Sequence, residues 1–215
     1  MTGVGAMDIQ PDDLVLRLRE AVAAGDAERL DAWAFDLGTL VIVSGVIPPT
    51  VFDEILAQLH TPELHALDGA RKLIDAMSQE WPALTDAQKE GLLPAVEQAY
   101  PHLREWRACF AASELLGERY ADARALESLL RLRRLSPEMP RSFVPHGLEH
   151  LAFEGSDAGV RERALAELLD MRGEESERVT GEVEESLARL LAVRVPLPQD
   201  VEAGLRARYR FPEGR

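Results

Sequence analysis

The sequence predicts an all-α protein. Apolar residues recur at three- and four-residue spacing along most of the chain, and prolines, acids and glycines divide that pattern into segments of helical length. No glycine-rich phosphate loop and no series of alternating strands occurs, which excludes the α/β cofactor folds. With 215 residues, of which 46% are hydrophobic, the chain is long enough to bury a sizeable core in one domain or two small ones.

Helix starts are predicted where a capping residue, a proline or an acid precedes an apolar pattern. Pro11 opens the first helix and Gly25 ends it, Thr50 is the predicted cap of the third, and Thr85 has capping-box spacing with Gln88. The predicted helices lie, in chain order, at residues 11–24, 27–43, 50–60, 62–81, 86 onward, 101–116, 120–135, 145–153, 157–171, 175–193 and after 198.

Three stretches of this pattern are less regular than the rest. The β-branched residues 39–43 are also compatible with a short strand, although no partner strand is visible. Pro94 lies inside a helical pattern, where it should kink the helix or mark its true start. The proline-rich residues 136–140 are predicted to interrupt the helices.

The charge of the chain is strongly acidic and unevenly spread. There are 24 Lys+Arg against 38 Asp+Glu, a net charge of −14, so nucleic acid is not a predicted partner. Residues 1–100 hold six basic and 17 acidic side chains, whereas the rest of the chain holds 18 and 21. An acidic region of this kind is either a solvated face or a surface that steers a basic protein partner.

Composition also predicts where the protein works. The single cysteine, Cys109, rules out an internal disulfide and fits a reducing compartment. The longest apolar run, residues 40–47, is too short for a membrane span, and the N-terminus does not resemble a secretory signal. We therefore expect a cytoplasmic protein with no membrane partner. The 22 arginines against two lysines, and the absence of asparagine, indicate a GC-rich and hence bacterial coding sequence.

A faint internal repeat is present in the second half. Residues 124–130 (Arg-Ala-Leu-Glu-Ser-Leu-Leu) align with residues 163–169 (Arg-Ala-Leu-Ala-Glu-Leu-Leu) at an offset of 39. Residues 143–152 followed by 156–169 have a proline near the first helix start, a polar turn and a Val-Arg-Glu-x-Ala-Leu second helix. Over residues 86–193 the chain thus resembles HEAT and armadillo repeat proteins, whose two-helix period is about 40 residues.

That resemblance implies stacked antiparallel helix pairs, an α-solenoid whose concave face binds another macromolecule. It divides the chain into an acidic helical region, 1–85, and a HEAT-like region, 86–215, within one continuous domain. An irregular helical bundle is the alternative architecture. The resemblance implies no particular chemistry, because function lies in sites and not in the fold.

The strongest local motif is His146-Gly-Leu-Glu149-His150, which fits the H-x-x-E-H pattern of inverted zinc peptidases. Histidines four residues apart share one helix face, as zinc binding requires, and Glu149 is placed to activate water. A third protein ligand is not identifiable, however, and the HEAT-like pattern explains the same residues. No catalytic residue, cofactor or metal is therefore predicted, and the three residues are kept only as a candidate metal site. His60 and His65 have a spacing that favours surface or capping roles.

Other residues are candidates for partner binding. Arg131, Arg133, Arg134 and Arg141 form the main basic cluster, which either decorates a helix C-terminus or makes a socket for an acidic segment or a phosphate. Glu174, Glu175 and Glu177 begin an acidic run that either solvates a helix start or binds a basic partner. Trp33, Trp81 and Trp106 are predicted core aromatics, although Trp81 at a helix end is also a candidate binding anchor.

The sequence therefore predicts a non-enzymatic module that binds another protein, which its acidity predicts to be basic. Within that class it fits an inhibitor or immunity protein that covers a basic target, or an adaptor in a larger assembly. A helical hydrolase that uses His146, Glu149 and His150 is the enzymatic alternative. A nucleic-acid-binding repeat protein would need a continuous arginine-lined face despite the net charge. The sequence does not predict the oligomeric state.

Overall fold

A computed structural model describes residues 9–66 and 69–211, and within those ranges the chain is helical and contains no strand. The predicted all-α class is confirmed. The α-helices are α1 (Pro11–Ala24), α2 (Ala27–Ser44), α3 (Pro49–Leu59), α4 (Pro62–Ala66), α5 (Gly69–Gln79), α6 (Asp86–Ala99), α7 (Trp106–Glu114), α8 (Ala123–Leu132), α9 (Glu138–Ser142), α10 (Val144–Glu154), α11 (Ala158–Asp170), α12 (Glu177–Ala192) and α13 (Gln199–Arg208).

The chain divides into two compact units, Met1–Ala108 and Cys109–Arg215. In the first unit α1 packs against α2 and α3, while α2 also contacts α5 and α3 contacts α6. Trp33 belongs to the core of this unit: it is 1% exposed, and its indole Nε1 donates to the carbonyl oxygen of Leu14 at 3.0 Å. A large aromatic side chain is thus buried with its only polar atom satisfied.

In the second unit α10 lies at the centre. It packs against α8, α11 and α12, and against a π-helical segment, Leu115–Tyr120, that follows α7 directly. The contact between α10 and the π-helical segment is close because glycines meet there. A Cβ on Gly117 would lie 2.4 Å from the carbonyl oxygen of Gly147, and one on Gly147 would lie 2.9 Å from that of Ser113. Only glycine allows two backbones to approach this far.

Several helix ends follow the predicted signals. Pro11 is the first residue of α1, and Gly25 ends that helix in the left-handed region at φ 65°. Thr85 and Gln88 form a complete capping box at the start of α6. The prediction that Thr50 caps α3 is wrong: the helix begins at Pro49, and Pro48 precedes it without a side-chain cap. A proline already fixes the backbone of the first turn there and brings no N–H that needs a cap.

Other boundaries differ from the predicted pattern. Residues 39–43 belong to α2 and not to a strand, and Pro94 is accommodated inside α6. The predicted helix 101–116 begins only at Trp106, because Pro101 lies in a separate 3-10 turn. The predicted interruption at 136–140 contains the start of α9, and the predicted helix 62–81 corresponds to α4 and α5 in the described part of the chain. The HEAT-like repeat stays a prediction.

Candidate functional site

The predicted histidine pair lies on one face of α10. The rings of His146 and His150 meet edge to face, with their centroids 4.7 Å apart, and His146 also stacks on Phe110 of α7 at 4.0 Å. His146 is only 7% exposed, and neither of its ring nitrogens has a hydrogen-bond partner among the described residues. A buried imidazole without a partner costs free energy, so this position calls for an explanation.

Glu149 does not stand free as a base. The single Nε–H of Arg189 on α12 is shared between the two carboxylate oxygens of Glu149, with Nε 2.8 Å from each, and Nη2 lies 2.8 Å from Oε2. Burial raises the pKa of the Glu149 carboxyl, but the contacts with His146 and Arg189 outweigh burial and the net pKa is lowered. The carboxylate is thus held in a salt bridge, which weakens the case for a hydrolase that uses Glu149.

Glu114 is a further candidate ligand that no sequence pattern indicated. This last residue of α7 lies beside the histidines, and ligand atoms of Glu114, His146 and His150 all lie within 4.8 Å of one another. Phe110 and Glu114 are four residues apart on α7, so both face α10. No spacing rule pairs Glu114 with residues so far along the chain. Only the close approach of the π-helical segment to α10 brings them together.

The electrostatic surroundings of the histidines are mostly acidic. Burial is the largest influence on His150 and lowers its pKa, and the nearby charge of His146 lowers it further. The carboxylates of Glu149, Glu114 and Glu118 act in the opposite direction. The neutral imidazole, the form that binds metals, is therefore favoured at His150.

The four arginines of the predicted cluster line a single cavity. All four predicted arginines line a space of about 550 Å³ in the second unit, together with Arg163 and three glutamates. Its lining consists of Glu127, Leu130, Arg131, Arg133, Arg134, Arg141, Arg163, Glu167 and Glu174. The cavity is locally cationic in a protein of net charge −14.

Its arginines are not equally available. Arg133 is engaged by Glu167 at 2.9 Å, by Asp170 at 2.6 Å and by Glu174 at 3.4 Å. Arg134 is exposed, and the buried Nε of Arg141 has no hydrogen-bond partner in the part of the chain that the structure describes.

Glu174 is the member of the predicted acidic run that reaches the cavity, whereas Glu175 and Glu177 are exposed. The structure therefore brings Glu174 to the arginines with which the sequence did not pair it. The helix-terminus interpretation also has a physical basis, because Arg131 lies in the last turn of α8 and Arg133 follows it.

Two predictions about aromatic and histidine residues are wrong. Trp106 was expected in the core, but it begins α7 with half of its surface exposed. His65 was expected at the surface or in a cap; the surface location is wrong, because His65 is 6% exposed and burial lowers its pKa. Trp81, the candidate anchor, is half-buried at the start of a 3-10 turn with the Lys89 ammonium 5.2 Å from its ring centroid.

The most exposed large apolar side chains of the described residues lie on α2. Phe35, Ile42 and Val43 are 72%, 86% and 79% exposed, and Val46 just after the helix is 48% exposed. Because residues seven and eight positions apart share a helix face, these side chains form one stripe opposite the buried Trp33 and Leu37. We call these four residues the α2 stripe.

Comparison with family models, curated proteins and solved structures found no match to this chain. Among the described residues, no helix is both long and apolar enough to cross a membrane.

Proposed function

We propose that the chain is a non-enzymatic protein-interaction module and that the α2 stripe is its docking surface. The observation that carries the proposal is the solvent exposure of three large apolar side chains on one helix face. Clustered exposed apolar residues are uncommon on monomeric proteins and mark interaction sites more often than isolated ones do. The free energy of binding would come from covering Phe35, Ile42 and Val43.

The partner is proposed to be basic, since charge around the stripe is predominantly negative. Glu28 and Asp31 lie seven and four residues before Phe35, on the same face of α2 as the stripe. Asp31 is paired with Lys72, whereas Glu28 is exposed in the first turn. With 17 acidic side chains against six basic ones in residues 1–100, this region attracts cations over a longer range. An amphipathic basic segment would match both the apolar and the acidic parts of the face.

Two roles fit this surface. An inhibitor or immunity protein would cover the basic surface of a cytoplasmic bacterial target, and an adaptor would join a basic subunit to a larger assembly. The resemblance to HEAT repeats supports the second role, because stacked helix pairs serve as scaffolds. Within the second unit, α10 packs between the π-helical segment and α12, an arrangement compatible with such stacking.

The proposal is tested by capture of partners from the source cells on immobilised wild-type protein and on the double variant Ile42→Ser/Val43→Ser. We expect the wild type to retain a basic protein and the variant to lose it, because two exposed anchors are removed. Phe153→Ser is the matched control, since Phe153 is a 48% exposed apolar residue of the second unit. Capture should also weaken at high salt.

Three results would contradict the proposal. The first is retention of the same protein by the double variant, and the second is salt-independent capture of an acidic protein. The third is a concentration-dependent dimer in sedimentation that the double variant abolishes, which would make a second copy of this chain the occupant of the stripe.

A further inference from the structure

We infer that Glu114, His146 and His150 bind a divalent transition-metal ion of the Zn²⁺ class. The ligand set is two imidazoles and one carboxylate, which suits zinc and related ions and leaves a fourth coordination position for water. The site lies in the second unit and goes beyond the docking function proposed for α2. It also goes beyond the sequence prediction, in which Glu149 was placed to activate water and no third protein ligand was identifiable, because Glu114 supplies that third ligand.

The three side chains are close to a metal-binding arrangement. Their ligand atoms all lie within 4.8 Å of one another, whereas ligands in a tetrahedral zinc site with bonds of 2.0–2.1 Å are about 3.4 Å apart. The gap to be closed is therefore at most about 1.4 Å for any pair, which small side-chain rotations can supply. Glu114 and His150 are only half-buried, so the fourth position is reachable from solvent.

A second observation points to a ligand independently of this clustering. His146 is more than nine-tenths buried, and within residues 9–66 and 69–211 both of its ring nitrogens are without a hydrogen-bond partner. Its Nδ1 lies 3.5 Å from Oε2 of Glu149, too long for a good hydrogen bond, and Nε2 is left for a metal. Coordination at Nε2 would satisfy one nitrogen and strengthen the contact of the other with Glu149.

Glu149 and Arg189 then have a positioning role. Metal-binding histidines usually donate their second N–H to a carboxylate, which fixes the ring and its tautomer. Arg189 holds the Glu149 carboxylate through both oxygens, so the acceptor beside His146 is already oriented. The salt bridge that removes Glu149 as a free base thus supports it as the outer partner of a metal ligand.

Packing explains why the site is preformed. The absence of side chains at Gly117 and Gly147 lets the π-helical segment approach α10, and a Cβ on Gly117 would lie 2.7 Å from Cβ of His150. The segment that follows Glu114 is π-helical, a geometry found frequently at functional sites. Glu114 is therefore held beside the histidines by backbone contacts.

The test is metal binding by the full-length chain without a histidine tag. After treatment with a chelator, the protein is titrated with Zn²⁺ by calorimetry, and its Co²⁺ complex is examined for the absorption of tetrahedral cobalt. We expect one ion per chain and a rise in Tm on adding Zn²⁺. Glu114→Gln and His150→Gln should each weaken binding by about 100-fold or more, since they remove ligands and not outer partners.

Matched variants make the result decisive. His102→Gln, at an exposed histidine of the first unit, should leave binding unchanged. Glu149→Gln should weaken it about 10- to 100-fold, the effect expected of an outer partner. Circular dichroism of the metal-free variants establishes that each is folded. Lack of stoichiometric binding by the wild type would overturn the inference, and so would a folded Glu114→Gln variant with wild-type affinity. The inference would also be overturned if the His102→Gln control lost as much affinity for Zn²⁺ as His150→Gln does.

Discussion

The two units differ in which side chains they expose and which they bring together. In the described part of the chain, the first unit exposes six of the eight most exposed large apolar side chains, four of them in the α2 stripe. The second unit exposes two, Phe153 and Val193, and instead gathers polar groups inward. Its arginine cavity and its buried His146 are both surrounded by several helices.

This difference indicates what kind of partner or ligand each unit is suited to bind. Exposed apolar surface gains free energy when another surface covers it, so the first unit is suited to a macromolecular partner. Convergent polar side chains in a pocket are suited to an ion or a small charged group, so the second unit is suited to a ligand. The net acidity of residues 1–100 and the near balance of the rest follow the same division.

The largest expected effect tests the two faces of α2. Leu37 is fully buried and Ile42 is 86% exposed. Leu37→Ala should lower the free energy of unfolding by about 2–5 kcal/mol because it leaves a cavity, whereas Ile42→Ala should change it by less than about 0.5 kcal/mol. Urea denaturation of the two variants measures this contrast. Similar losses in both would show that Ile42 is covered and that the α2 stripe is not a free surface.

The next effect tests the close helix contact of the second unit. Gly117→Ala places a methyl group against backbone atoms of Gly147, which cannot move away cheaply, and should destabilise the fold by about 1–3 kcal/mol. Gly181→Ala is the control, because among the described residues no atom other than those of the adjacent α12 backbone lies within 4 Å of its Cβ position. That change should stabilise the chain by up to about 1 kcal/mol through helix propensity. Thermal unfolding distinguishes the two, and a neutral Gly117→Ala would contradict the proposed basis of the metal site.

Helix identity could be predicted from the sequence because its signals are local. Pro11, Gly25 and the Thr85 capping box act within a single turn, and each lies where expected. Thr50 failed as a cap because Pro49 offered an equally local and competing start. Trp106 and His65 failed for a different reason: their burial depends on which helices pack around them, and no local pattern contains that information.

The candidate sites were predictable only in part for the same reason. His146 and His150 share a helix face, so their proximity follows from the four-residue spacing. Glu114 joins them through the glycine contact between the π-helical segment and α10, which depends on tertiary packing. The arginines near the end of α8 were recognisable as a cluster, but the carboxylates that engage Arg133 come from α11 and its C-terminal connection.

A smaller effect separates structural from available arginines in the cavity. Arg133→Ala should destabilise the second unit by about 1 kcal/mol, because it leaves Glu167, Asp170 and Glu174 without the cation they share. Arg134→Ala should leave stability unchanged, since that side chain is exposed. Chemical denaturation of both variants provides the comparison. If the two changes were equally harmless, the ion pairs of Arg133 would not contribute to the stability of the second unit.

The smallest effect is a pH dependence within the first unit. Burial raises the pKa of Glu80 above its ordinary value of 4.5, whereas the hydrogen bond from Arg19, 2.5 Å away, lowers that of Glu54 despite burial. At neutral pH an ionised Glu80 therefore destabilises the fold, and an ionised Glu54 stabilises it. The stability due to Glu54 is present above pH 4.5 and is lost as pH falls through the lowered folded-state pKa.

Glu80→Gln should then stabilise the protein at neutral pH by less than about 1 kcal/mol, because Glu80 is only half-buried and its charge is screened by solvent. The gain should disappear as pH falls through the raised pKa of Glu80 to below 4.5, where the carboxyl is protonated in both states. Glu54→Gln should have the opposite effect: it should lower the free energy of unfolding at neutral pH, and this loss should shrink in acid. Denaturant midpoints of both variants across this pH range measure the two trends. If both variants were more stable than the wild type at neutral pH, Arg19 would not stabilise the Glu54 carboxylate. Ionised Glu54 would then destabilise the first unit, as ionised Glu80 does.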